Sequence, residues 1–149
     1  KGLNEFADLG LISPVATQMH LVQPKGCAPI AEAYLAGRLI VKPVRPETVA
    51  KSLAIGNPAD GYYALKTIEA SRGSAVIVDE PEVAEGVKLL AELEGVFTES
   101  AGGVTVSGLK HLVESGRIKP DEPTVLYITG TLDAVIEKTI GRFLLAPGQ

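Results

Sequence analysis

The 149-residue sequence predicts an α/β protein whose parallel sheet carries helices on both faces. Three observations support this. The runs 19–23 (MHLVQ), 74–78 (SAVIV) and 124–129 (TVLYIT) are short and apolar, as strands buried on both faces are. The stretches between them repeat apolar residues at helical spacing. The two kinds of segment alternate along the chain, an order that favours parallel strands joined by crossovers.

Each element has its own signals. Leu3, Phe6, Ala7 and Leu9 make a short helix over 2–10 that Gly10 stops. Met19–Gln23 is a strand closed by Pro24, and CAPIAEAYL (27–35) is a helix that tolerates Pro29 in its first turn. Residues 38–60, with Pro43, Pro46, Gly56 and Pro58, form the longest irregular stretch, a length that usually marks function or mobility. Tyr62, Leu65 and Ile68 give 61–71 one apolar face, and Arg72-Gly73 ends that helix before the second strand. Asp79-Glu-Pro-Glu82 opens a long helix to about Glu94 with acidic groups in its first turn. In the next helix, 101–115, Val104, Leu109, Leu112 and Val113 point to a core and Gly116 caps the end. The third strand follows, then a closing helix over 132–143.

Composition narrows the function. A 46% hydrophobic chain is not disordered, and no apolar run approaches the roughly 20 residues needed to cross a membrane. A net charge of -4 with scattered lysines gives no footprint for nucleic acid or anionic lipid. The one cysteine, Cys27, has no internal partner, and His20 and His111 are too far apart for a recognisable metal site, so both histidines read as structural. A reducing, cytosol-like compartment is expected. The chain begins Lys1-Gly-Leu without an initiator methionine, which suggests a piece of a longer protein.

The common phosphate-loop, dinucleotide and serine-hydrolase motifs are all missing. Four places remain open between a structural and a chemical reading. Ile55-Gly-Asn-Pro58 is either a simple turn or a ligand loop. Thr98-Glu-Ser-Ala-Gly-Gly103 is either ordinary capping or a helix start that meets an anion. Thr129-Gly130 is either a strand-to-helix turn or a hydroxyl aimed at a ligand, since parallel sheets bind ligands at the carboxyl ends of their strands. Cys27 is either a thiol at a helix start or a small buried hydrophobe.

Taken in order, KGLNEFADLGLI (1–12), HLVQPKGCAPIAEAY (20–34), AIGNPADGYYALK (54–66), FTESAGGVTVSGLKHL (97–112) and VLYITG (125–130) resemble the threonine synthase family. Those enzymes are pyridoxal-phosphate lyases of fold type II, a fold that also holds tryptophan synthase β-chains and serine/threonine dehydratases. The resemblance spans nearly the whole chain but matches only the second half of the family's enzyme. It implies that residues 1–149 are the C-terminal part of the large cofactor-binding domain. The glycine-rich cup for the cofactor phosphate and the lysine that carries the cofactor would both lie upstream. Lys25, Lys66 and Lys110 fall on loops or helix surfaces, where a solvated ammonium is expected, so none takes that role.

The resemblance further implies that Thr129 hydrogen-bonds the pyridine nitrogen of pyridoxal 5'-phosphate, with Gly56, Asn57, Glu99 and Gly130 shaping the pocket. The implied reaction converts O-phosphohomoserine and water to threonine and phosphate in a cytoplasmic homodimer, this chain carrying only half of the site and inactive alone. A serine/threonine dehydratase-like lyase and a catalytically empty binding module of the same fold are the alternatives. Two departures from the family pattern stand out. Gly130 runs straight into Thr131-Leu132-Asp133, where the family continues with a second glycine and a Leu-Lys pair, and Ser100 stands where the family more often has proline.

Overall fold

The computed structural model describes residues 2–14 and 16–131. Its helices are α1 (Gly2–Asp8), α2 (Pro29–Leu35), α3 (Gly61–Ala70), α4 (Glu80–Glu94) and α5 (Ser100–Glu114), and its strands are β1 (Leu21–Pro24) and β2 (Ala75–Val78). The strands pair in parallel, Leu21 opposite Ala75 through Pro24 opposite Val78. Because side chains alternate along a strand, this register builds two distinct faces. Val22, Val76 and Val78 pack with Val83 of α4, Val104 of α5 and the buried Ala50. Leu21, Ala75 and Ile77 pack with Ala28, Ala31 and Tyr34 on the side of α2. The protein is therefore α/β with helices on both faces of a parallel sheet.

The expected third strand is not one. Residues 124–130 form no regular element and pair with neither β1 nor β2, and Val125 and Tyr127 are exposed. Among the described residues a bridge just beyond them joins Thr98 to Thr131 and is antiparallel. A strand exists through its ladder of backbone hydrogen bonds, and among the described residues nothing flanks 124–129 to supply that ladder. The closing helix expected at 132–143 lies outside the described residues.

Local chemistry sets the helix ends. The carboxamide Oε1 of Gln23, at the end of β1, accepts the N–H groups of Ile30 and Ala31 at 3.0 and 2.9 Å. It thereby satisfies two of the donors that a helix start leaves unpaired. The helix begins at Pro29 rather than Cys27, because a 3-10 turn, Lys25–Cys27, comes first. Asp79 caps α4 in a reciprocal box, its own N–H donating to Glu82 Oε2 at 2.9 Å, and Gly95 ends that helix at φ 67°.

Two core faces differ from the sequence expectation. Tyr62 is exposed, leaving Leu65 and Ile68 to anchor α3. On α5, Val104 and Leu112 are buried while Val113 is exposed and Leu109 only half-buried. The missing contact surface is glycine. A Cβ on Gly103 would lie 2.3 Å from the Val83 carbonyl oxygen, one on Gly86 2.3 Å from that of Gly103, and one on Gly108 2.4 Å from the Val22 methyls. Hydrophobic periodicity cannot register such a seam, since the residues that make it have no side chain. Ser107 closes it by donating to the Glu82 carbonyl at 2.7 Å.

Candidate functional site

The long 38–60 stretch is ordered from its neighbours, with only a 3-10 turn, Lys51–Leu53, inside it. Glu80, in the first turn of α4, accepts the Gly26 N–H at 3.0 Å, the Thr48 hydroxyl at 3.0 Å and the Val49 N–H at 2.8 Å. Burial works against its charge. The N–H groups of Val49 and Gly26, the Thr48 hydroxyl and the nearby Lys51 ammonium outweigh that and hold its carboxyl below the usual carboxylate range. Gly56 folds the loop back: its carbonyl accepts the Val44 N–H at 2.9 Å, and a Cβ there would sit 2.0 Å from the Val44 oxygen.

This loop meets the start of α5. Ser52 donates its hydroxyl to Glu99 Oε1 at 3.3 Å. The Glu99 side chain in turn fills the space left by Gly130, where a Cβ would lie 2.8 Å from Oε1 and 2.9 Å from Cδ. The Gly130 carbonyl takes two donors, the Thr98 hydroxyl at 2.8 Å and the Glu99 N–H at 3.2 Å. Thr98 is 1% exposed, and Gly102 makes room for it. The result is a corner where the N-terminus of α5, the 51–57 loop and the 124–131 segment converge.

Of the residues singled out in the sequence, the structure brings Glu99 and Gly130 into contact and places Thr129 beside them. Thr129 is exposed, and its hydroxyl makes no hydrogen bond among the described residues. Gly56 lies on the loop that Ser52 ties to Glu99 but is itself spent on Val44. Asn57 is exposed, with no hydrogen bond to Thr129 or Gly130 among the described residues. Sequence reasoning missed Thr98 and Ser52. Thr98 opens the 98–103 run singled out as a helix start, but its burial and its bond to Gly130 carried no local signal. Ser52 lies 47 residues from its partner and carried no local signal.

The remaining candidates are structural. Cys27 is buried, and burial pushes its thiol up despite a contact from the Ile55 backbone, so it behaves as a small hydrophobe rather than a nucleophile. Both histidines have the partners that sequence did not reveal. His20 Nδ1 lies 2.8 Å from Ser74 Oγ, and burial, then Arg117, hold the ring below the usual histidine range. His111 Nε2 lies 2.7 Å from Glu82 Oε1. Lys25 pairs with Asp79 at 2.7 Å, Lys66 lies over the Tyr62 ring at 4.9 Å, and Lys110 sits 4.0 Å from Glu114. A groove of about 350 Å³ between α4 and α5, lined by Glu85, Lys88 and Lys110 among others, involves none of Gly56, Asn57, Glu99, Thr129 and Gly130. Among the described residues no cluster of three metal-ligating side chains occurs, and no helix is long and apolar enough to cross a membrane.

Comparison with known proteins bears on this corner. The family model described as pyridoxal-phosphate dependent enzyme matches residues 3–130, a span that ends on Gly130. Threonine synthase of Methanocaldococcus jannaschii is 40% identical over 131 residues, which cover 87% of this chain and 32% of that protein. Threonine synthase of Methanosarcina acetivorans is 39% identical over 133 residues, 89% of this chain and 33% of that protein. This chain thus spans about a third of the length of the curated relatives it matches. Maize serine racemase superposes with a TM-score of 0.61 at 16% identity, over 84% of this chain and 40% of that one. An L-serine ammonia-lyase from Rhizomucor miehei gives 0.57 at 22% identity, over 93% and 44%. These two likenesses place the fold among fold type II enzymes. The chain belongs to the pyridoxal-phosphate dependent enzyme family, whose cofactor is pyridoxal phosphate.

Proposed function

We propose that this chain is the C-terminal part of the large cofactor-binding domain of a threonine synthase, which converts O-phosphohomoserine and water to L-threonine and phosphate. The observation that carries this reading is the identity of 39–40% across 87–89% of the chain to proteins named threonine synthase. The serine racemase and ammonia-lyase structures, at 16% and 22%, speak for the fold alone. We place the enzyme in the cytoplasm as a homodimer, with the cofactor's lysine and phosphate cup upstream of residue 1.

The residues present fit one edge of the cofactor. Thr129 offers an exposed hydroxyl with no partner among the described residues, beside a glycine whose missing side chain makes room for the Glu99 carboxylate. When bound, pyridoxal phosphate supplies the electron sink for carbanion chemistry at the substrate. In this reading the Thr129 hydroxyl donates a hydrogen bond to the ring nitrogen, and a neutral hydroxyl there leaves that nitrogen uncharged, where a carboxylate would hold it protonated. Glu99 and Gly130 wall the pocket beside it. Gly56 and Asn57 close it from the loop, whose course Glu80 and Ser52 hold.

The test is phosphate release from O-phosphohomoserine by the full-length enzyme, beside deamination of L-serine and L-threonine. Phosphate and threonine in equal amounts are expected. Ammonia from the free hydroxyamino acids with no phosphate would make it a dehydratase-like lyase, and inactivity on all three would make it a binding module.

A further inference from the structure

We propose that Thr98 is a positioning residue for this enzyme, a clasp that places the Thr129 hydroxyl by holding the peptide just beyond it; the proposal rests on the ring-nitrogen reading of Thr129. Glycine leaves two soft torsions between Thr129 and anything that anchors it. The anchor comes one residue later. The Gly130 carbonyl accepts both the Thr98 hydroxyl at 2.8 Å and the Glu99 N–H at 3.2 Å, and Thr131 bridges back to Thr98.

Thr98 is built for that contact. It is 1% exposed, a rare setting for a threonine unless its hydroxyl is paired, and among the described residues its hydroxyl donates to that carbonyl alone. The space it occupies exists because residue 102, in the first turn of α5, is glycine: a Cβ there would fall 1.9 Å from Thr98 Oγ1. Through this residue the position of α5 is passed to the segment carrying Thr129. Thr98 itself touches neither substrate nor cofactor in this scheme, since its hydroxyl is spent inside the protein.

The experiment is a double-mutant cycle in the full-length enzyme, reading the dissociation constant of pyridoxal phosphate and the split between kcat and KM. Thr98→Val keeps the shape and removes the donor, and should weaken cofactor binding about tenfold. Thr98→Ser keeps the hydroxyl and should restore binding to within about threefold. A clasp that acts only through Thr129 has nothing to place once that hydroxyl is gone. Thr98→Val combined with Thr129→Val should therefore bind cofactor no more weakly than Thr129→Val alone. Thr98→Ala runs the same cycle should the valine variant fail to fold.

The outcomes separate the two ideas. A silent Thr129→Val overturns the ring-nitrogen reading and this inference with it. A costly Thr129→Val beside a silent Thr98→Val, or losses that simply add, overturns the inference alone.

Discussion

Replacing Gly103 by alanine tests the glycine seam. On an open helix surface the change would stabilise by roughly 0.5–1 kcal/mol, because alanine loses less backbone freedom on folding. Here the new methyl would meet the Val83 carbonyl oxygen at 2.3 Å and the Val87 Cγ2 methyl at 2.7 Å. The valine methyl can rotate away, but the carbonyl belongs to the α4 backbone and cannot. Ordinary contact needs α4 to withdraw by about 1 Å, which loosens the packing of Val83 against Val104 and the Ser107 bond to Glu82. Overpacking of this kind costs about 1–3 kcal/mol and exceeds the propensity gain, so the net effect should be a loss of about 1–2 kcal/mol. Urea unfolding of the full-length enzyme, with and without cofactor, reads it as a fall in midpoint at unchanged slope. A Gly103→Ala protein as stable as wild type or more so would refute the reasoning, because the two backbones could not then lie this close.

Three further outcomes follow from the same geometry. Thr129→Val in the full-length enzyme should weaken cofactor binding or turnover by about 1–3 kcal/mol, Thr129→Ser by much less, and Thr129→Asp should fold but turn over slowly; titration with pyridoxal phosphate and steady-state kinetics decide it. The depressed carboxyl of Glu80 contributes stability that is fully present above its unfolded pKa of about 4.3 and is lost as the pH falls through its lower folded value. Thermal melts of Glu80→Gln from pH 7 to pH 3 should therefore start lower and show a flatter acid limb than wild type, and limbs of equal slope would count against the anchor. Ser52→Ala removes a long hydrogen bond at the surface and should change stability by less than about 0.5 kcal/mol in the same melts.

How much of this was legible depended on the range of the interaction that decides each feature. The α/β order, the positions of both strands, the start of α4 at Asp79 and the turns at Gly10 and Gly116 are set by residues within a few positions, so they read directly. The 124–129 run was misread because a buried strand and an irregular apolar segment share one composition, and only pairing with a strand distant in sequence tells them apart. The face of α5 was half legible: Val104 and Leu112 announced themselves, while Gly103 and Gly108 are informative only beside Val83 and Val22. At the candidate site, the runs that hold Glu99, Thr129 and Gly130 stood out from their local sequence, while their roles toward the cofactor came from a resemblance. Thr98 and Ser52 emerged only when three distant segments were brought together.

The Gln23 cap on α2 has a consequence for the order of folding. Its acceptor oxygen lies seven and eight residues from the two amides it binds, so closing that loop costs little entropy. Pairing β1 with β2 instead spans more than 50 residues, because Leu21 must find Ala75. The corner formed by β1, the Lys25–Cys27 turn and α2 can therefore assemble before the sheet exists, leaving Leu21 ready to receive β2. In pulse-labelled hydrogen exchange during refolding of the intact enzyme, the amides of Ile30 and Ala31 should gain protection ahead of those at 75–78, and replacing Gln23 with leucine should abolish that lead.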